Sequence, residues 1–184
     1  MNKKIIALIL AALAVVMCFA FAACGGEKAT EGNAAPAAYE GELSALCAKM
    51  YETNPVELMV MTEGAPVDLA DDDALSDYIG TSNTADFKEV LFSETMMGSQ
   101  AYSLVLARVA DGADVEAIKK GIFDNVDTRK WICVEANQVR VASAADIVML
   151  VMVDSQFGET IADGMVNALK TNVGELTGET LTRG

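Results

Sequence analysis

No histidine occurs among the 184 residues, and that absence decides most of the chemistry open to this chain. Histidine is the usual general base near neutral pH and the commonest transition-metal ligand. Ser-His-Asp, Cys-His and His-ligated zinc mechanisms are therefore excluded. The sequence also lacks GxSxG, SxxK, a Walker loop, GxGxxG and CxxC. What remains is carboxylate, lysine, tyrosine and thiol chemistry. The densest carboxylates are Asp68, Asp71, Asp72, Asp73 and Asp77. Oxygen clusters bind Ca²⁺, and a spaced carboxylate pair can cleave glycosides. The spacing lacks the EF-hand order, however, with no glycine at the sixth position and no closing glutamate. These acids are expected to be turn and helix-start residues, with no metal ligand set and no cofactor.

Charge directs attention elsewhere. The chain carries 27 acidic and 13 basic residues, a net −14. Residues 24–107 hold 15 acids against Lys28, Lys49 and Lys88, whereas residues 108–140 hold six of each sign. A field of this sign repels phosphate polymers, so nucleic acid is excluded as a partner. The neutral stretch contains Lys119, Lys120, Arg129, Lys130 and the only tryptophan, Trp131. Tryptophan and arginine are enriched at binding hot spots, which makes these five the candidate partner surface. The competing reading is that Trp131 covers the end of a helix-sheet core. Glu116 and Lys120, four apart, are expected to pair. Ten methionines, among them Met96-Met97, offer an adaptable surface or ordinary gap filling. Cys47 sits on an apolar helical stripe and Cys133 between Ile132 and Val134, so both are expected as buried free thiols, although an exported chain permits a disulfide.

The N-terminus reads as an address. Lys3-Lys4 precedes an uncharged run from Ile5 to Ala23, the pattern of an export signal in residues 1–23. Phe21-Ala22-Ala23-Cys24-Gly25 resembles a lipobox, in which small residues precede a cysteine that is diacylated and becomes the new terminus. Two acyl chains hold a protein on a membrane where one does so only marginally. Plain secretion after Ala20-Phe21-Ala22 and an uncleaved anchor are the alternatives. Residues 24–38 hold no large apolar side chain and read as the lipidated Cys24 followed by a flexible tether, averaging roughly 20 Å end to end. Residues 39–184 then form one extracytoplasmic domain.

The elements that must position these residues follow from periodicity. Leu43, Leu46, Cys47 and Met50 mark a helix ending at Asn54-Pro55. Val56–Met61 reads as a short strand, and Ala74–Ile79 as a short helix led by Asp71-Asp72-Asp73 and stopped by Gly80. Phe87–Phe92 and Ala101–Val109 are strands, the second apolar on both faces. Val115, Ile118, Ile122 and Val126 mark an amphipathic helix. Gln138–Ala142 and Asp146–Val153 form a hairpin whose second strand must be central, because it carries seven consecutive apolar residues. A closing helix carries Phe157, Ile161, Met165, Leu169 and Val173, weakened by Gly158 and Gly164. The order predicts an α+β fold, with an antiparallel or mixed sheet of about five strands and two to three helices packed mainly on one face.

Arg108-Val109-Ala110-Asp111-Gly112-Ala113-Asp114, the helix opening Val115-Glu116-Ala117-Ile118-Lys119-Lys120, Trp131, and Asn137-Gln138-Val139 before the closing strand resemble exported Gram-positive lipoproteins carrying domain of unknown function 4358. The resemblance spans residues 41–153 and implies no activity. The leading expectation is a non-catalytic, membrane-tethered binding or accessory domain for an envelope protein or small ligand. The alternatives are a carboxylate-based hydrolase of cell-wall glycan and a purely structural envelope protein.

Overall fold

The computed structural model describes residues 38–184. Cys24, the signal and the tether up to residue 37 thus lie outside the described residues. Helix α1, Leu43–Thr53, buries Leu43, Leu46, Cys47 and Met50 and ends at Asn54 ahead of Pro55. Helix α2, Asp72–Ile79, starts where the Asp71 carboxylate accepts the amides of Asp73 and Ala74, and stops at Gly80 with φ 71°. Both ends follow capping physics. Asp68 likewise accepts the amide of Ala70. Asp68 and Asp71 therefore serve the backbone of a turn and a helix start.

Four long strands follow: β2 Phe87–Glu94, β3 Tyr102–Val109, β4 Gln138–Ala144 and β5 Ile147–Val153. Short strands β1, Ala65–Pro66, and β6, Leu181–Arg183, flank them. The order is β1-β2-β3-β5-β4-β6, antiparallel throughout. Every residue of β5 is buried, as its apolar run requires. The β4–β5 hairpin turns through Ala145-Asp146, with Ala145 at φ 53°.

The α+β class and the antiparallel sheet match the sequence reading, with six strands and four helices among the described residues in place of about five and two to three. The placement of the helices on one face is corrected. Helices α1 and α4 (Ile161–Val173) pack with Leu104, Leu106, Met149 and Val151 on one face. Helices α2 and α3 (Val115–Asn125) pack with Val105, Ala107, Val148 and Leu150 on the other. Two central strands apolar on both sides leave no face that can be exposed to water, since each large buried side chain contributes about 1.5–3 kcal/mol.

Two further expectations change. Val56–Met61 is not a strand: only Val60 bridges, to Thr95, before the chain turns at Gly64, φ 67°, into β1. Val56, Leu58 and Val60 spend their apolar surface against the α1 face instead. Gly158 precedes α4 rather than interrupting it, and Gly164 lies where a Cβ would stand 2.2 Å from the Asn54 side chain. That glycine lets the end of α1 approach α4.

Candidate functional site

The elements converge on a groove at the Glu94 end of β2. Along β2 the pleat sends Leu91 and Ser93 to the α1 side, and Val90, Phe92 and Glu94 to the α2 side. Helix α2 buries Leu75 and Ile79, one turn apart, in the core of that face. The neighbouring positions Ala74, Asp77 and Tyr78 then fall toward the groove. The segment after α3 supplies Asp127, Lys130 and Trp131. Together with Glu94 these residues border an open groove of about 480 Å³, within the volume range of small-ligand sites.

Lys130 organises the groove. Its ammonium lies 2.5 Å from Glu94 Oε1, 4.8 Å from the centre of the Tyr78 ring and 5.4 Å from that of Trp131. The Tyr78 ring in turn stacks on Phe92 at 4.0 Å between centroids. Ring faces attract a cation held above them, more strongly where water is excluded. The Tyr78 phenol is shifted up from its ordinary value, first by burial and then by the charges of Glu94 and Asp77. Lys130 also reaches Ser103 Oγ at 3.4 Å. That spacing suggests a Ser–Lys nucleophile pair, but Ser103 is fully buried and the ammonium is held by Glu94, so no substrate can meet the hydroxyl.

The predicted partner residues divide. Lys119 is corrected: its side chain is wholly buried, donating to Glu116 Oε1 at 2.8 Å and to the carbonyls of Thr177 and Glu179 at 3.0 and 2.9 Å. It fastens the segment leading to β6 and offers nothing outward. The expected Glu116–Lys120 pair is corrected with it, since Glu116 holds Lys119 while Lys120 pairs with Asp124 on the exposed side of α3. Lys130 is a wall of the groove, 15 % exposed. Trp131 is half-buried against the α2–α3 core, as the competing reading expected, and still borders the groove. Arg129 is exposed, 3.5 Å from Glu135.

Sequence reasoning missed Tyr78, Glu94 and Asp127. It also treated residues 108–140 as a neutral surface, whereas folding sets Asp77 and Glu94 beside Lys130. Cys133 is a further correction: it is exposed, with φ 62°, beside Ile132 at 77 % exposure. An apolar-thiol-apolar run reads as core only if the backbone is extended, and here it is a left-handed loop.

A second polar cluster lies under α1. Tyr51 Oη is 2.7 Å from Ser93 Oγ and 3.0 Å from Tyr102 Oη, and Ser93 donates to the carbonyl of Met61 at 2.7 Å. Burial pushes the Cys47 thiol up to about 12 and both tyrosines well above their usual range. Groups held this firmly neutral are packing elements, satisfied among themselves. Cys47 is a free, buried thiol, as its helical stripe predicted.

Among the described residues, no group of three or more His, Cys, Asp or Glu side chains could hold a metal ion, and no helix is long and apolar enough to cross a membrane. Comparison with family models, with curated proteins and with solved structures finds no match.

Proposed function

We propose that this chain is a membrane-tethered extracytoplasmic lipoprotein of the kind that carries domain of unknown function 4358. In this reading lipid on Cys24 anchors it, and residues 39–184 are a non-catalytic binding or accessory domain that receives a small ligand or an envelope protein in the Tyr78–Trp131 groove. The observation that carries the binding reading is the groove itself, with two aromatic rings and the carboxylates of Asp77, Glu94 and Asp127 around one captive ammonium. Ring faces and carboxylates together hold cationic or hydroxylated groups.

The position of the groove supports the same reading. Where the chain enters the domain, Tyr39 is fastened at the opposite end of the strands. Its amide donates to Asp146 Oδ1 at 2.7 Å, and Arg108 donates to the carbonyls of Tyr39 and Gly41 at 2.7 and 2.6 Å. The run of β2 and β3 between these ends is roughly 20 Å at about 3.4 Å per residue. The chain therefore enters the described domain at the end of the sheet away from the groove.

Photocross-linking in cells tests the proposal. A photoreactive residue at Arg129, beside the groove, is expected to give an adduct that Tyr78→Ala weakens. The same residue at Asp111, in the turn after β3, is expected to give none. Adducts from position 111 alone would place the interface elsewhere and contradict the reading.

A further inference from the structure

The groove beside α2 carries more negative charge than its one cation answers. Lys130 is taken up by Glu94 at 2.5 Å, both side chains largely buried. Asp77 and Asp127 border the same groove, and among the described residues neither carboxylate has an ion-pair partner. Arg129, the preceding cation along the chain, sits 3.5 Å from Glu135 instead. The Tyr78 ring is covered on both faces, by Phe92 at 4.0 Å between centroids and by the Lys130 ammonium 4.8 Å from its centre. No sugar ring can therefore stack on it. The phenol of that ring, raised by burial first and by Glu94 and Asp77 after it, registers the negative field. With Lys130 in place, about 480 Å³ of open groove remains beside Trp131 and Ala74.

We infer that the groove selects small organic cations of the alkylammonium type, held by Asp77 and Asp127 against Trp131 with Lys130 left where it is. The inference rests on the reading of this groove as the binding site and adds the class of ligand. Lys130 is itself the precedent, since these walls already hold one alkylammonium between a carboxylate and ring faces. An anion would meet two uncompensated carboxylates and an ammonium already engaged, so charge alone disfavours it. A neutral hydroxylated ligand would leave both carboxylates unpaired and gain nothing from their charge. Asp77 stands on α2 and Asp127 after α3, so a diamine offers each an ammonium while its methylene chain covers Ala74 and Trp131.

Trp131 is the only tryptophan of the chain, so its fluorescence reports on the groove directly. Diaminobutane is titrated into the full-length chain in detergent, at about 0.15 M salt to screen the general acidic field. It is expected to saturate a single site, with calorimetry as the second measure. Succinate and glucose, the anionic and hydroxylated probes, should give no saturable change at the same concentrations. Asp77→Asn and Asp127→Asn should each raise Kd about two- to fivefold, the range of a largely exposed ion pair. Asparagine at position 127 keeps the Oδ1 acceptor used by the Arg129 amide, so the local turn survives the exchange. Asp111→Asn, in the turn after β3, should change nothing. Tighter binding of Nα-acetyl-lysine amide than of diaminobutane would assign the ammonium to a lysine of a protein partner, and the reverse to a free amine. Preference for succinate or glucose, or no binding of diaminobutane by either measure, would overturn the inference. So would binding that the two groove exchanges leave unchanged, or that Asp111→Asn weakens equally. Adducts from position 129 that depend on Tyr78 would then keep the binding reading while the cation class falls; their absence would remove both.

Discussion

At the scale of single residues, the polar cluster under α1 links pH to stability. Cys47 is held protonated up to about 12 against an ordinary 9.0, and Tyr51 and Tyr102 are raised by the same burial. A group whose pKa is raised on folding contributes stability that is complete below its unfolded value and is lost as pH climbs toward the folded one. Stability should therefore be level with respect to these groups up to about pH 9. It should then fall between about 9 and 12, each group adding up to about 1.4 kcal/mol per pH unit once its unfolded form ionises. Urea unfolding across that range measures the slope, and Tyr51→Phe should flatten it above pH 10. Alkaline stability unchanged by that exchange would remove Tyr51 from the account. The thiols separate in the same way: a thiol reagent at pH 8 should label Cys133 quickly and Cys47 only on unfolding. The burial of Cys47 was legible because its neighbours Leu43, Leu46 and Met50 repeat at helical spacing. The exposure of Cys133 was not, because a backbone φ of 62° leaves no mark in the pattern Ile132-Cys133-Val134.

At the scale of elements, local signals were the readable ones. The caps of α2, the stripe of α3 and the apolar run of β5 are all written within a few consecutive residues. The groove was not, because Glu94, Asp127 and Tyr78 meet only through strand register and helix packing. Lys119 shows the same limit: its partners Thr177 and Glu179 lie about sixty residues away, at separations of 58 and 60. That contact predicts that Lys119→Met leaves the Glu179 carbonyl unpaired, while Thr177 O keeps its bond from Ser143 Oγ at 2.9 Å, and costs about 1–3 kcal/mol if the Glu179 carbonyl stays buried. Hydrogen exchange should then rise first in β6, and protection of Leu181–Arg183 equal to wild type would contradict the role given to Lys119. The β4–β5 turn predicts a gain. Ala145 stands at φ 53°, where glycine is favoured. Ala145→Gly should raise stability by about 0.5–1 kcal/mol, the relief of left-handed strain less the added freedom of the unfolded chain. A loss in chemical denaturation would mean that the Ala145 methyl packs more than the strain costs.

At the scale of the whole molecule, the proposal joins a lipid-bearing end to a folded domain gripped at Tyr39 and open at the far end of its sheet. Residues 25–38, proposed as the tether between them, hold no large apolar side chain. Everything functional in this reading depends on the chain being held outside the cell by Cys24, the residue that follows Phe21-Ala22-Ala23. Metabolic labelling with palmitate, comparing the wild-type chain with Cys24→Ala in membrane and soluble fractions, tests that dependence most directly. Label and membrane retention are expected in the wild type, with both lost in the variant. Label persisting in Cys24→Ala, or a wild-type protein whose processed terminus is Ala23, would contradict it.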